Sequence, residues 1–597
     1  MPVINPPRYQ GNGSGPPPIR YDHAKRARII YGLLLLVSAV FILRLFYLQV
    51  IRHDYYAKAA LNSQLKEYQI PAERGVISAH NGSQTTPLVL NEIKYTLFAD
   101  PVYVKEPEKH AVDIARVIGG DSTKIIEQLK SPDTRYVVLA KKLSEEQHKQ
   151  ITELDIAGIG TREASYRTYP QGSLAAQVLG FVNDEGRGQY GFEQAYDEKL
   201  RGKPGELKAI TDARGVPLVS NPENIVTEAE PGEAVTLTLD IGMQRQLEEV
   251  LRAGLKRAES KSGSALIMDP NSGAIRAIAN YPTYNPAEIN NLKDLSALSN
   301  GAVTAPLEIG SIMKSLTVAA AIDHGVVGPD TAFYNEGYVV IGDHRITDVH
   351  SSQGTQTTRT TLVESLNTGA VWLLKQIGQG DINQRARQTW HSYMTKHYFL
   401  GQTTGVEQAG EAAGFIPSPE ENNQGINVTY ANTAFGQGMT ATPLQMAAAY
   451  SSIINGGIFY QPRLVDNVRD INGDSRATAP VVKSRGVISK DASDKMVRLL
   501  EEVANANVPG IQRSGYVLGG KTGTAEIANL DTGLYYTDRF NGTYAGFIGG
   551  DRPEYVIVVR VNEPKIPGNA GYVAAAPLFK DIAHMLLDNF GVTPKRQ

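Results

Sequence analysis

The stretch LEIGSIMKSLTVAAAIDHG, residues 307–325, places Ser311 directly after a glycine and one helical turn ahead of Lys314. A serine hydroxyl is a poor nucleophile near neutral pH and needs a base within hydrogen-bond reach. Lysine can be that base once burial or a neighbouring positive charge makes its amine neutral. The same serine also reads as a helix N-cap, set at the positive end of the apolar run through Leu316, Val318 and Ile322. The chain has no cysteine, which removes disulfides, thiolate metal sites and a cysteine nucleophile together. Its 11 histidines are scattered without metal-ligand spacing, so no metal is expected and the chemistry falls to oxygen and nitrogen groups.

Two further patterns follow in order. ESLNTGAVWLL carries Ser365-x-Asn367 at the start of a second apolar helix, and GYVLGGKTGTAE carries Lys521-Thr522-Gly523-Thr524 after a short strand signal. Each has a decoy. Ser63-x-x-Lys66 repeats the first pattern in a polar stretch, and Lys261-Ser262-Gly263 approximates the third without a flanking strand. The ordered set, each member on a suitable element, is the signal.

That set resembles the signature of penicillin-binding proteins and the related serine β-lactamases. The likeness extends through RLFYLQVI, RGVISAHNG, RTYPQGSLAAQVLGFVN and GQYGFEQAYDEKLRGKPG, which are similar to the anchor and pedestal of the class B, monofunctional members. FGQGMTATPLQMAAAYSSIINGG and YVAAAPLF resemble their transpeptidase domain, so the likeness covers nearly all of the chain after residue 28. It implies a peptidoglycan D,D-transpeptidase without a cofactor, acting on stem peptides ending in D-Ala-D-Ala and acylated by β-lactams. Ser311 is then the nucleophile, Lys314 its base and Ser365 the relay to the leaving amine. Asn367 orients Lys314 or holds the substrate backbone. Lys521, Thr522 and Thr524, with Gly523 between them, bind the terminal carboxylate, and the N–H groups of Ser311 and Thr524 form the oxyanion hole. The spacing in GFVNDEGRGQYGFE is closer to the septal, division-type members. Two positions depart from the family pattern: Ala79-His80 stands where Asp-Arg is usual, and Ile309 where proline is usual.

These residues need elements to hold them. A chain of 597 residues exceeds one core and predicts two or three domains. Residues 1–28 read as a disordered cytoplasmic tail rich in Pro and Gly. Residues 29–51 read as a membrane helix, with Lys25, Arg26 and Arg28 keeping the N-terminus cytoplasmic and the catalytic part outside the cell membrane. A cleaved signal peptide is the competing reading, but the bulky RLFYLQV leaves no small-x-small cleavage site. Residues 52–235 form an α+β pedestal and residues 236–597 a sheet-centred catalytic domain, an α/β fold of the α+β type. The formal charge of −3 asks for no nucleic acid. The membrane helix and pedestal are expected to meet a polytopic glycan polymerase and division proteins. The alternatives are a β-lactamase or β-lactam sensor, a D,D-carboxypeptidase, and a catalytically silent division scaffold.

Overall fold

The computed structural model describes residues 23–56, 65–131, 134–210, 225–350, 352–420, 425–529 and 534–596. Residues 1–22 of the expected tail, and Ser63 of the first decoy, lie outside them. Two compact units are present, residues 1–70 with 204–228, and residues 71–203 with 229–597.

The first unit contains the helix His23–Phe46, continued by a wider turn over Tyr47–Ile51. From Arg28 to Ile51 it is long and apolar enough to cross a membrane, and among the described residues nothing buries its apolar stretch. Lipid is the natural cover for an apolar helix of that length. The unit also holds a small antiparallel sheet in the order Leu65–Ile70, Gly205–Ile210, Ile225–Thr227.

The second unit is built on a five-stranded antiparallel sheet in the order Ile275–Tyr281, Ser262–Met268, Pro553–Asn562, Leu534–Gly549, Val517–Asn529. Its strands read as unbroken apolar runs, ALIM and VIVV, because both faces are covered. Leu266, Val556 and Val558 pack into the core around the helix Met313–Asp323. Their alternates Ile267, Ile557 and Val559 pack under the helices Ile241–Arg257 and Ala576–Asn589. Met313–Asp323 is buried from Met313 to Ile322, so it is a core helix rather than an amphipathic surface one. Its polar groups are satisfied from outside: the Tyr450 hydroxyl donates to the Ile312 carbonyl at 2.9 Å and the Tyr398 hydroxyl to that of Leu316 at 2.9 Å.

A second sheet runs Ser475–Ala477, Val465–Arg469, Ala234–Asp240, Ile77–Asn81, Gln84–Ala99, Val137–Leu143, with Ile159–Thr168 also paired to Gln84–Ala99. It joins strands from both sides of residue 235, since Ala234–Asp240 pairs in parallel with Ile77–Asn81 and antiparallel with Val465–Arg469. Helices Pro107–Ile118 and Glu145–Glu153 form where HAVDIARVIGG and SEEQHKQITELDIAG have helical spacing, the latter closed by a capping box between Ser144 and Gln147. Ile114 and Ile151 pack these helices into a cluster with Leu129 of the helix Ser122–Leu129.

Local readings differ in four places. Residues 23–28, expected as the end of the tail, form the start of the helix His23–Phe46. AAQVLGFVN, expected as a strand, forms a short helix Ala176–Leu179 and a two-residue strand Phe181–Val182. Ala175 at φ 55° and Gly180 at φ 77° turn the chain on either side, and the Gln177 amide is drawn inward to donate to the Pro282 and Ala297 carbonyls. YTLFADPVYV supplies only the end of Gln84–Ala99, and the chain turns at Pro101. Lys261-Ser262-Gly263 does have a strand, since Ser262–Met268 begins there, but that strand is paired on both sides and has no free edge to offer a ligand.

Candidate active site

Ser311 sits in a 3-10 turn, Gly310–Ile312, that leads into the helix Met313–Asp323. The turn is pressed onto the free edge of the sheet. Gly310 has φ +60°, and a Cβ there would lie 2.6 Å from the Thr524 carbonyl oxygen. Gly523 is similarly confined, because a Cβ would meet Thr543 Oγ1 at 2.3 Å and the Ile309 carbonyl at 2.9 Å. Only glycine permits the serine turn and the edge strand to come this close. Ile309 has φ −80°, an angle proline also adopts, so the backbone at this departure suits either residue.

Four acceptors surround the Lys314 amine. Nζ lies 3.1 Å from Ser311 Oγ, 2.8 Å from Asn367 Oδ1, 3.2 Å from Ser365 Oγ and 2.6 Å from the Ser365 carbonyl. Ser365 reaches it twice because its backbone is left-handed, φ 56°, a conformation that costs a non-glycine residue roughly 1–3 kcal/mol and often marks a functional site. Asn367 begins the helix Asn367–Ile377 and spans the site, its Nδ2 donating to the Thr347 carbonyl at 3.0 Å.

Lys314 is 1 % exposed. Burial pushes its pKa well below the usual lysine range, and the Lys521 charge pushes it the same way, while Asp348 opposes. Lys521, also 1 % exposed, is lowered by burial to about 8. It lies inside the strand Val517–Asn529, the outermost of its sheet, with its amine 3.3 Å from the Thr522 carbonyl and 3.4 Å from Thr522 Oγ1. Along this strand Lys521, Gly523 and Ala525 are buried, whereas Thr522, Thr524 and Glu526 are partly open. Thr524 Oγ1 donates to Asn569 Oδ1 and accepts from the Gly571 N–H at 3.0 Å.

The structure therefore gathers Ser311, Lys314, Ser365 and Asn367 about one amine and sets Lys521, Thr522, Gly523 and Thr524 on the adjoining edge. Asp348 and Asn569 were not found from the sequence. Asp348 accepts from the Thr368 N–H at 3.0 Å and the Thr368 hydroxyl at 2.7 Å, capping the Asn367–Ile377 helix from a separate loop. Burial would raise Asp348, but bonds from Ser352, Asn335 and Thr368 outweigh it and hold the carboxyl below its ordinary value. Because Leu366, the local cap residue, makes no side-chain cap bond, a search for nearby capping residues could not have revealed Asp348. The Ala79-His80 departure also finds its place: Ala79 is fully buried in its strand, and His80 Nε2 lies 3.0 Å from Asp466 Oδ2.

With this geometry in view, the chain matches the penicillin binding protein transpeptidase domain over residues 263–584 and the penicillin-binding protein dimerisation domain over residues 69–237. It is 30% identical to stage V sporulation protein D of Bacillus subtilis over 580 residues, covering 96% of this chain and 87% of that protein. It is 28% identical to peptidoglycan D,D-transpeptidase FtsI of Escherichia coli over 581 residues, covering 95% and 92%. Among solved structures, penicillin binding protein 3 of Mycobacterium tuberculosis complexed with aztreonam superposes with a TM-score of 0.65 at 25% identity, covering 88% of this chain and 98% of that one. Penicillin binding protein 2X of Streptococcus thermophilus shares the fold with a TM-score of 0.69 at 24% identity, covering 89% and 83%.

Proposed function

This chain belongs to the class B penicillin-binding proteins, which join a dimerisation domain to a transpeptidase domain, and we propose that it cross-links peptidoglycan as a membrane-anchored serine D,D-transpeptidase in septal wall synthesis. Ser311 Oγ attacks the penultimate carbonyl of a stem peptide ending in D-Ala-D-Ala and passes its proton to neutral Lys314. The C–N bond then breaks, the departing D-alanine amine takes a proton through Ser365, and an ester remains on Ser311. An amine from a neighbouring stem peptide attacks that ester, forms the cross-link and returns the serine. Asn367 holds Lys314 in place, and Lys521, Thr522 and Thr524, around Gly523, receive the terminal carboxylate. The N–H groups of Ser311 and Thr524 face the developing oxyanion. A β-lactam enters the same path and stops at the ester.

The observation that carries this reading is the buried Lys314 amine at 3.1 Å from Ser311 Oγ, its hold on a proton weakened by burial and by Lys521. Likeness to the Escherichia coli enzyme named a peptidoglycan D,D-transpeptidase, and to a Mycobacterium tuberculosis protein complexed with aztreonam, supports the substrate and the inhibitor class. The septal role rests on the pedestal spacing in GFVNDEGRGQYGFE and on that same likeness.

The N-terminus is cytoplasmic and the domain after residue 52 lies outside the membrane, by the basic residues Lys25, Arg26 and Arg28. Residues 52–235 serve as pedestal and 236–597 as catalytic domain, a division supported by the two family matches. The membrane helix and pedestal meet a polytopic glycan polymerase and other division proteins. Intact-mass analysis after benzylpenicillin, with mapping of the adduct, tests the assignment: one adduct on Ser311 that vanishes in Ser311→Ala is expected, and an adduct elsewhere overturns it. Nitrocefin should be turned over once, not continuously, and an added amine should capture the acyl group in preference to water.

A further inference from the structure

Asn569 opens the terminal helical segment, its carbonyl accepting from the Tyr572 and Val573 N–H groups at 3.0 and 2.9 Å and its Oδ1 from the Tyr572 N–H at 3.4 Å. The same Oδ1 accepts the Thr524 hydroxyl proton. A threonine hydroxyl has one proton to give, and the Gly571 N–H already occupies part of its accepting capacity at 3.0 Å. In the free protein that proton is committed to a neighbouring loop. We propose that Asn569 stands in for the ligand's carboxylate at Thr524, so that it sets affinity for carboxylate-ended ligands by competing for one donor.

The proposal rests on the carboxylate-binding role given to Thr524 above. An ionised carboxylate is a stronger acceptor than an amide oxygen, so a ligand wins the exchange. The exchange is still a cost, because binding must first release Thr524 from Asn569 and only the released fraction is competent. Two features make release feasible. Asn569 is exposed, so water can take over its amide. The Gly571 N–H keeps hold of the Thr524 oxygen while the proton swings toward the ligand, so the strand itself need not move. Nothing around Ser311 or Lys314 changes, which confines the effect to binding.

Acylation kinetics of the full chain with benzylpenicillin and with its methyl ester, resolved into binding and ester-forming constants, test this. Asn569→Ala should tighten benzylpenicillin binding about three- to tenfold, tighten the methyl ester much less and leave the ester-forming constant unchanged, because a carboxylate is a far stronger acceptor than an ester carbonyl for the freed donor. Asn569→Asp keeps the capping oxygen and adds a charge, so it should weaken benzylpenicillin binding, recover as the pH falls through the carboxyl range, and again affect the ester much less. This variant carries the test if the alanine variant loses its helix start. Equal weakening of both ligands by both variants means Asn569 is structural and overturns the proposal, as does no change in either. Thr524→Val separates the two readings: if it leaves the preference for acid over ester intact, the carboxylate role of Thr524 fails first. If it abolishes that preference while Asn569→Ala does not move it, only the competition is wrong.

Discussion

Two clusters of buried cations in the same compact unit have been given opposite surroundings. In the dimerisation domain, Glu193 has no exposed surface and takes Arg74 at 2.7 Å on one oxygen and Arg167 at 2.9 Å on the other. Arg74 also reaches Asp197 at 2.7 Å, and Arg167 donates to Asn91 at 2.9 Å and to the Gly75 carbonyl at 2.8 Å. Lys314 and Lys521 are buried more deeply, yet among the described residues no carboxylate is in contact with either amine. Asp348 acts on Lys314 only through space, its oxygens being taken by Ser352, Asn335 and Thr368. Burial with full pairing keeps the charges and locks strand to helix. Burial without pairing loosens an amine's hold on its proton, which turns Lys314 toward a base while Lys521 keeps its charge up to about pH 8.

The widest separation between the clusters should come from paired substitutions. Lys314→Met is expected to cut acylation by about 10²–10⁴-fold, the usual worth of a general base, while the unfolding midpoint changes little, because relief from burying the amine offsets the loss of its hydrogen bonds to Ser311, Ser365 and Asn367. Glu193→Gln is expected to cost roughly 3–5 kcal/mol of stability by leaving Arg167 without a carboxylate and Arg74 with Asp197 alone, while protein that remains folded is acylated on Ser311 as before. Penicillin labelling and urea unfolding on both variants check this, and equal losses in both readouts for both variants would erase the distinction.

Next in size is Asn367→Ala, which removes the 2.8 Å bond that aims Lys314. Acylation should fall about tenfold to a hundredfold, as expected of a base left slightly misplaced, with little change in unfolding midpoint.

The pH profile is the third test. Acylation should rise with pH as Lys314 loses its proton and fall again near pH 8, where Lys521 loses the charge that receives the carboxylate. Stability follows the same lysine. Between about pH 8 and its ordinary value of 10.5, unfolded Lys521 still binds a proton that the folded form has released, so wild type gains stability relative to Lys521→Met as pH rises through that window. The smallest effect is expected from Asp348→Asn. Asp348 raises the pKa of Lys314, so its neutralisation should move the acid limb of the profile to lower pH and leave the alkaline limb alone.

The motif residues were legible because each is fixed by its own element: Ser311 and Lys314 by one helical turn, Ser365 and Asn367 by a helix start, Lys521 to Thr524 by one strand. That the region after residue 235 is sheet-centred was legible, but not that both faces of its sheet are covered. What could not be read was contact between distant segments. Asp348 caps a helix 20 residues away, and Asn569 meets Thr524 across 45 residues, with no local pattern announcing either. The strand expected in AAQVLGFVN failed for the same reason, since the bonds that pull Gln177 inward come from residues 282 and 297. The sheet that joins Ile77–Asn81 to Ala234–Asp240 likewise depends on a parallel pairing that no hairpin signal foretells.

The glycine contacts around Ser311 constrain how such a protein can change under antibiotic selection. A Cβ on Gly436 would lie 2.1 Å from the Gly310 carbonyl, one on Gly310 2.6 Å from that of Thr524, and one on Gly571 2.3 Å from that of Gly523. Backbone rests on backbone through this whole layer, so a side chain at any of these positions would push apart the segments that both drug and substrate require. Resistance is not expected at those glycines; a variant that discriminates between the two is expected among side chains that one ligand meets and the other does not.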